Sequence, residues 1–334
     1  MSQKDAATQA YDALNNYFKA HEKQIVEIEV LPPSIKPPDG VLMVDDINVG
    51  VPKKVMALAF VEARKRFFND EIQTLKLQAT KVMLLFDPEH LTAANYRKQY
   101  LEGLKQDTTT DGQLEYRKAA KYEFCFLDSI LTSPLHRQSK SPTLWHHRLW
   151  LLSLIMPKDK ESVPEESRRD FWRKELSSVF KSGERHPKNY YAWQYARRLV
   201  ERVDGLEATL DFAQRVKAWC CKHPSDISGW SCLFHLVPQV EPPSERQKVV
   251  REVVKYAIDL QAEQESLWVF IRTSLAHKAM QEWQTGLVSM LVKYGKQLES
   301  MENVSTLRDM VTRTIHWIDS NSGCTETPNG MESG

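Results

Sequence analysis

No apolar run in this chain is long enough to cross a bilayer. The strongest, Leu149 to Met156, is cut off by Pro157, whereas a membrane helix needs ~20 residues. Nor is there a surplus of one charge. Forty-five Lys and Arg nearly cancel forty-four Asp and Glu, for a formal net charge of +1 over 334 residues, so the excess positive field that drives nonspecific nucleic-acid binding is missing. Cysteine is scarce, five residues with Cys220 and Cys221 adjacent, which points to reduced thiols in a cytoplasmic protein rather than a disulfide framework. The opening Met1-Ser-Gln-Lys-Asp lacks the apolar segment of a secretory signal, and the closing Glu332-Ser333-Gly334 carries no prenylation box.

Signatures of self-sufficient catalysis are absent too. The chain has no Gly-rich phosphate loop and no Gly-x-Ser-x-Gly elbow, both of which need glycine at fixed offsets. No Cys and His residues have zinc-site spacing, and His146 and His147 are adjacent, so on a helix they project apart instead of toward one ion. Cys220 and Cys221 follow Trp219 on an apolar helical stripe, where thiols pack rather than attack. The polypeptide alone is expected to be inert, with no metal and no cofactor bound by this chain.

What the chain does have is one phrase, used repeatedly: a helix-breaking lead-in, a Trp at the start of an apolar run, and usually an Arg a turn later. It occurs around Trp145 with Arg148, around Trp193 with Arg197, around Trp230, and around Trp268 with Arg272. The Trp residues are 48, 37 and 38 positions apart, an interval that suits a pair of helices per repeat. A fainter copy lies upstream, where Ala94 takes the Trp slot six residues after Pro88, the offset that also separates Pro187 from Trp193 and Pro224 from Trp230. The array therefore begins before residue 88.

Residues 5–24 read as a helix with Tyr11, Leu14 and Phe18 on one face, and Ile25 to Val30 alternate like a strand. Pro32-Pro33, Pro37-Pro38 and Pro52 exclude regular helix from the next stretch, so residues 1–52 are assigned to a non-repeat N-terminal arm with a Pro-rich linker. Residues 53–318 are assigned to an α-helical repeat solenoid. Its helices show stripes such as Trp172, Leu176 and Val179, or Ala213, Val216 and Cys220, which are too wide to leave in water. The expected fold is all-α: a right-handed superhelical solenoid of antiparallel helix pairs with roughly ten to fourteen helices. The Ser-, Thr-, Asn- and Gly-rich residues 319–334 are expected to be a disordered tail.

Within the phrase, Trp145, Trp193, Trp230 and Trp268, with Arg148, Arg197 and Arg272, read as inter-repeat cement. An Arg on a packed face then needs a carboxylate, a carbonyl or a ring as its partner. The residues between lead-in and Trp differ. Lys140, Lys188, Asn189, Tyr190 and Tyr191 are expected on an exposed loop edge, where function tends to sit.

These phrases resemble the repeat of protein prenyltransferase alpha subunits. The match is close at Pro187-Lys188-Asn189-Tyr190-Tyr191-Ala192-Trp193, while Trp145-His146-His147-Arg148-Leu149-Trp150 is similar to the second repeat of the Rab-type alpha subunit and Glu265-Ser266-Leu267-Trp268 to the family's fifth. The resemblance covers about residues 80–280. It implies a tetratricopeptide-like crescent of helical hairpins wrapped around a separate beta subunit, which holds the zinc ion, the isoprenoid diphosphate and most of the peptide site. It also implies that Lys140, five residues before its Trp, reaches the diphosphate leaving group as the catalytic lysine, and that Lys188, Asn189, Tyr190 and Tyr191 line the rim. In the farnesyltransferase alpha subunit the Tyr191 slot holds a histidine. The sequence departs from the pattern at Pro142, where a tyrosine is usual, in the first repeat, which lacks its Trp, and in the fourth, which has Leu233-Phe234 in place of its Arg.

The function implied is that of the alpha, non-zinc subunit of a heterodimeric protein prenyltransferase, inactive without a beta subunit. The Rab geranylgeranyltransferase type of beta subunit is favoured as partner, hence geranylgeranyl over farnesyl, with a cysteine-bearing protein as acceptor. On this resemblance the immunoglobulin-like and leucine-rich domains that the Rab-type alpha subunit can carry are not expected within these 334 residues. The alternative is a helical-repeat scaffold that binds a protein partner without transferase activity.

Overall fold

A computed structural model describes residues 3–155, 164–202 and 206–322. The Pro157 that ends the longest apolar run lies outside them. Of the tail expected from residue 319, Asp319 to Asn321 form the end of a helix and 323–334 lie outside the described residues. The chain divides into two compact units: residues 1–168 with 174–195, and residues 169–173 with 196–334. Both are helical, with fifteen α-helices and three short strands among the described residues.

The first unit opens with α1 (Gln3–Ala20), then β1 (Ile28–Leu31), β2 (Met43–Asp45) and β3 (Asn48–Pro52). Helices α2 (Lys53–Asn69), α3 (Gln73–Phe86), α4 (Leu91–Gln106) and α5 (Thr110–Leu131) follow, then the single turn α6 (His136–Ser139), α7 (Pro142–Ile155), α8 (Glu165–Arg185) and α9 (Tyr190–Val200). Residues 169–173 of α8 and 196–200 of α9 are assigned to the second unit. That unit continues with α10 (Leu206–Lys222), α11 (Ile227–Leu236), α12 (Pro243–Asp259), α13 (Glu265–Ala276), α14 (Gln281–Glu299) and α15 (Ser305–Asn321).

Burial decides the helices where propensity does not. Helix α12 carries Val249, Val250, Val253 and Val254, all 0% exposed. Four β-branched residues cost a helix a few tenths of a kcal/mol each, whereas burying each valine returns ~1.5 kcal/mol or more. The same i, i+3, i+4 logic buries Val55, Met56, Ala59, Ala63 and Phe67 on α2 and Trp172, Leu176 and Val179 on α8.

The proline-rich stretch after α1 is neither helix nor free coil. Strand β3 is central in a three-stranded sheet, parallel to β1 with Ile28 opposite Val49 and antiparallel to β2 with Met43 opposite Gly50. The other edge of β1 is met by serines of α5 and the turn after it. Val26 N donates to Ser129 Oγ at 3.0 Å and Ile28 N to Ser133 Oγ at 2.8 Å. Alternate strand N–H groups are spaced like hydroxyls one helical turn apart, so a helix substitutes for a neighbouring strand. Leu14 and Tyr11 of α1 are buried at 0% and 2% exposure, and Tyr17 Oη donates to Ile47 O at 2.6 Å.

Candidate functional site

Every copy of the phrase builds the same local structure. The residue four before the Trp slot opens the helix: its carbonyl accepts from the slot's N–H, as His90 to Ala94, Ser141 to Trp145, Asn189 to Trp193, Asp226 to Trp230 and Gln264 to Trp268. Four of those five residues also cap with a side chain, which accepts from a first-turn amide at 2.9–3.3 Å. This satisfies donors a helix start leaves unpaired. Pro142 occupies the first helical position of α7, where its missing N–H costs nothing.

The indole then reaches backward. Trp145 Nε1 donates to Ser139 O at 2.7 Å, Trp230 Nε1 to Pro224 O at 2.9 Å and Trp268 Nε1 to Ala262 O at 2.7 Å, each six residues upstream. The second lone pair of that carbonyl is used by the following repeat: Asn189 Nδ2 donates to Ser139 O at 2.8 Å in the first unit, and Ser266 Oγ to Pro224 O at 2.7 Å in the second. One step upstream, Ser141 Oγ donates to Pro88 O at 3.3 Å. Within each unit consecutive loops are thus bonded edge to edge. The four indoles are 0–3% exposed. Burying an aromatic of that size is worth ~4 kcal/mol or more, several times the ~1 kcal/mol of the hydrogen bond, so the bond sets direction and burial supplies stability.

The arginines split by spacing. Three residues after the slot, Arg97 and Arg148 are 2% and 1% exposed. Arg97 forks onto Glu123, with Nε at 2.8 Å, and Arg148 onto Glu175 at 2.9 and 3.0 Å with Asp128 at 2.9 Å. Four residues after the slot, Arg197 and Arg272 are half-exposed, contacting Ser231 Oγ at 3.3 Å and Glu265 at 3.1 Å. Sequence reading missed Glu123, Asp128 and Glu175. The available signal was their spacing, 26 and 27 residues beyond Arg97 and Arg148 for the two glutamates.

Among the proposed rim residues the structure makes one correction. Asn189 is 0% exposed, not on the open edge: Nδ2 serves Ser139 O and Ser182 Oγ at 2.8 and 2.9 Å, and Oδ1 caps α9 through Ala192 N at 3.3 Å. Both of its amide N–H donors are spent on Ser139 and Ser182, its oxygen caps α9, and burial keeps the side chain from the open edge. Lys140, Tyr190 and Tyr191 are half-buried and Lys188 is exposed. Lys140 Nζ lies 3.5 Å from Pro187 O, which joins the second loop to the third, and the Tyr190 and Tyr191 rings meet edge to face at 5.4 Å. Lys188 has φ of 59°, the left-handed region that non-glycine residues seldom adopt.

Two histidines flank these lysines. The rings of His136 and His186 are 5.5 Å apart, and His186 Nε2 lies 3.3 Å from Ser133 O, so that nitrogen carries the proton. Burial holds the His186 pKa below its ordinary value, and the neighbouring His136, Lys140 and Arg185 push it the same way. Arg185, beside Pro187, is anchored to Glu27 just before β1 at 2.9 Å. The edge therefore holds Lys140 near a His186 ring that burial keeps in its neutral form, while the Arg185 charge is matched by Glu27. Among the described residues no three His, Cys, Asp or Glu side chains are grouped to hold a metal ion, and no helix is long and apolar enough to cross a membrane.

Helical hairpins with Trp-anchored, side-chain-capped edge loops define an all-α helical-repeat fold like that of prenyltransferase alpha subunits. Comparison with known proteins agrees. The chain is 28% identical over 166 residues to protein prenyltransferase alpha subunit repeat-containing protein 1-A of Xenopus laevis, covering 46% of this chain and 35% of the relative. It is 26% identical over 186 residues to protein prenyltransferase alpha subunit repeat-containing protein 1 of Homo sapiens, covering 52% and 41%. Against the geranylgeranyl transferase type-2 subunit alpha of Rattus norvegicus the identity is 27% over 172 residues, covering 52% and 27%. The matches thus span about a quarter to two-fifths of these relatives' lengths. Residues 144–261 also match the family described as the ECM9 middle domain.

Proposed function

We propose that this chain is the alpha subunit of a cytoplasmic heterodimeric protein prenyltransferase. On this reading a beta subunit, of the Rab geranylgeranyltransferase type, supplies the zinc ion and most of the lipid and peptide site, and geranylgeranyl is transferred to a protein cysteine. The observation that carries the reading is Lys140: an ammonium at the capped loop edge, five residues before Trp145, bridged to the Pro187 loop.

In the transfer, the acceptor sulfur bonds to the first carbon of the isoprenoid while that carbon's bond to oxygen breaks and diphosphate leaves with the electron pair. Negative charge grows on the departing oxygens, and an ammonium placed there stabilises the transition state more than the bound substrate. Lys188, Tyr190 and Tyr191 would position the diphosphate or the acceptor from the adjoining loop. Asn189 keeps the two loops in register from inside.

The test is to purify the chain with a candidate beta subunit and follow lipid transfer. Lys140→Ala should lower turnover by ~10²-fold, the scale of losing one aimed donor, while the heterodimer still assembles. Failure to hold any beta subunit, or unchanged turnover in Lys140→Ala, refutes the reading. Pro142, which lacks the hydroxyl of the usual tyrosine, favours the second reading, a scaffold without transferase activity; that reading stands if the pair assembles but transfers nothing.

A further inference from the structure

The outer face of α2, in the first unit, is apolar and cationic at once. Val61 and Phe68 are 63% and 59% exposed and lie two turns apart on one line of the helix. Past the turn that follows, Ile72 and Leu75 are 57% and 38% exposed. Single exposed apolar residues are ordinary on a protein surface, but four within one helical hairpin form a patch.

The same line carries unmatched charge. At helical spacing Lys54, Leu58, Val61, Arg64, Lys65 and Phe68 share one stripe, opposite the buried Val55, Met56, Ala59, Ala63 and Phe67. Lys54 and Arg64 are exposed and make no ion pair among the described residues; Arg64 lies 5.8 Å from the Phe60 ring. Lys65 is 53% exposed and reaches Glu62 only at 3.6 Å. Glu62, the one acid of α2, faces inward and accepts from Arg66 Nε at 3.0 Å, and Arg66 is matched again by Asp12 at 3.1 Å. In the turn, Asp70 Oδ1 accepts from Ile72 N at 3.0 Å, and Glu71 is the exposed acid.

This mixture selects the occupant. A partner helix packs on an apolar seam, and here Arg64 and Lys65 stand between Val61 and Phe68, where a helix would have to strip them of water. A layer of anionic headgroups removes that cost. Apolar side chains enter such an interface by ~5–10 Å, while lysine and arginine lay their apolar stems along it and keep their charges among the phosphates. We propose that the outer face of α2 docks on the surface of an anionic bilayer, with Val61 and Phe68 inserted and Lys54, Arg64 and Lys65 on the headgroups. No helix has to cross the membrane, and the inference is independent of the prenyltransferase reading.

The experiment sediments the full chain with sucrose-loaded vesicles of phosphatidylcholine containing ~30% phosphatidylserine, with pure phosphatidylcholine vesicles as reference. The chain should pellet with the anionic vesicles, bind the neutral ones at least ~10-fold more weakly, and be released at ~0.5 M salt. Lys54→Gln, Arg64→Gln and Lys65→Gln together should weaken binding about a hundredfold, at roughly fivefold per cation, and Phe68→Ser should weaken it ~10-fold. Leu114→Ser, at an equally exposed leucine of α5, should change nothing. All five positions are exposed, so circular dichroism should show each variant folded. No pelleting with anionic vesicles, equal binding to neutral ones, or full binding by the triple variant overturns the proposal. Self-association that Phe68→Ser abolishes, with no vesicle binding, also overturns it and assigns the face to a second copy of the chain.

Discussion

Replacing Arg148 by methionine would separate cement from chemistry in the repeat phrase. Arg148 of α7 is 1% exposed, forks onto Glu175 of α8 and pairs with Asp128 of α5, and lies 5.3 Å from the Phe124 ring and 5.9 Å from that of Tyr195. Tyr195 Oη donates to Glu175 Oε2 as well. Removing the guanidinium leaves two carboxylates, 3% and 4% exposed, in a dry seam without a cation. Breaking a buried pair in this way costs ~3–5 kcal/mol, a large share of the ~5–15 kcal/mol by which a domain is stable. Glu175→Gln should cost ~3 kcal/mol, because one guanidinium N–H then faces an amide N–H whichever way the glutamine turns. Adding Glu175→Gln and Asp128→Asn to Arg148→Met should recover most of the loss, since the charges are removed together. Urea unfolding followed by circular dichroism, with hydrogen exchange at α7 and α8, measures each term. If Arg148→Met and Glu175→Gln each cost less than ~1 kcal/mol, the value of an exposed pair, the network does not hold this seam.

Two further outcomes follow from named residues. His147 is 0% exposed beside Glu123, and burial pushes its pKa down to about 4. The unfolded chain takes up that proton first, so stability is full above pH ~6.5 and falls by about 3 kcal/mol as pH drops to ~4. His147→Gln should flatten that part of the urea-midpoint profile, and an unchanged slope would remove His147 as its cause. Lys188→Gly should raise stability by up to ~1 kcal/mol, because glycine relieves the left-handed backbone, while turnover of the complex with a beta subunit falls. A rise in stability with full turnover would show that the strained lysine serves no substrate.

What the amino-acid order determined by itself is local. The apolar stripes, the proline lead-ins and the six-residue offset to each Trp fall within a turn or two of helix, so they are readable wherever the chain goes. They marked the helix starts near Trp145, Trp193, Trp230 and Trp268 and the face the indoles take. The strand-like Ile25–Val30 was legible for the same reason, since alternation is also a short-range pattern. Tertiary structure alone decided the partners. Asn189 looked like a rim residue because it sits between Lys188 and Tyr190, and only the approach of the Ser139 loop turned its amide inward. Glu123 and Glu175 acquire meaning only when helices 26 and 27 residues further on close over Arg97 and Arg148. Ser129 and Ser133 edge a strand more than 100 residues away, and Lys140 meets Pro187 across 47. Helical pattern is set by neighbours within four residues, but the choice among distant partners depends on which surfaces packing brings together once the loops have closed.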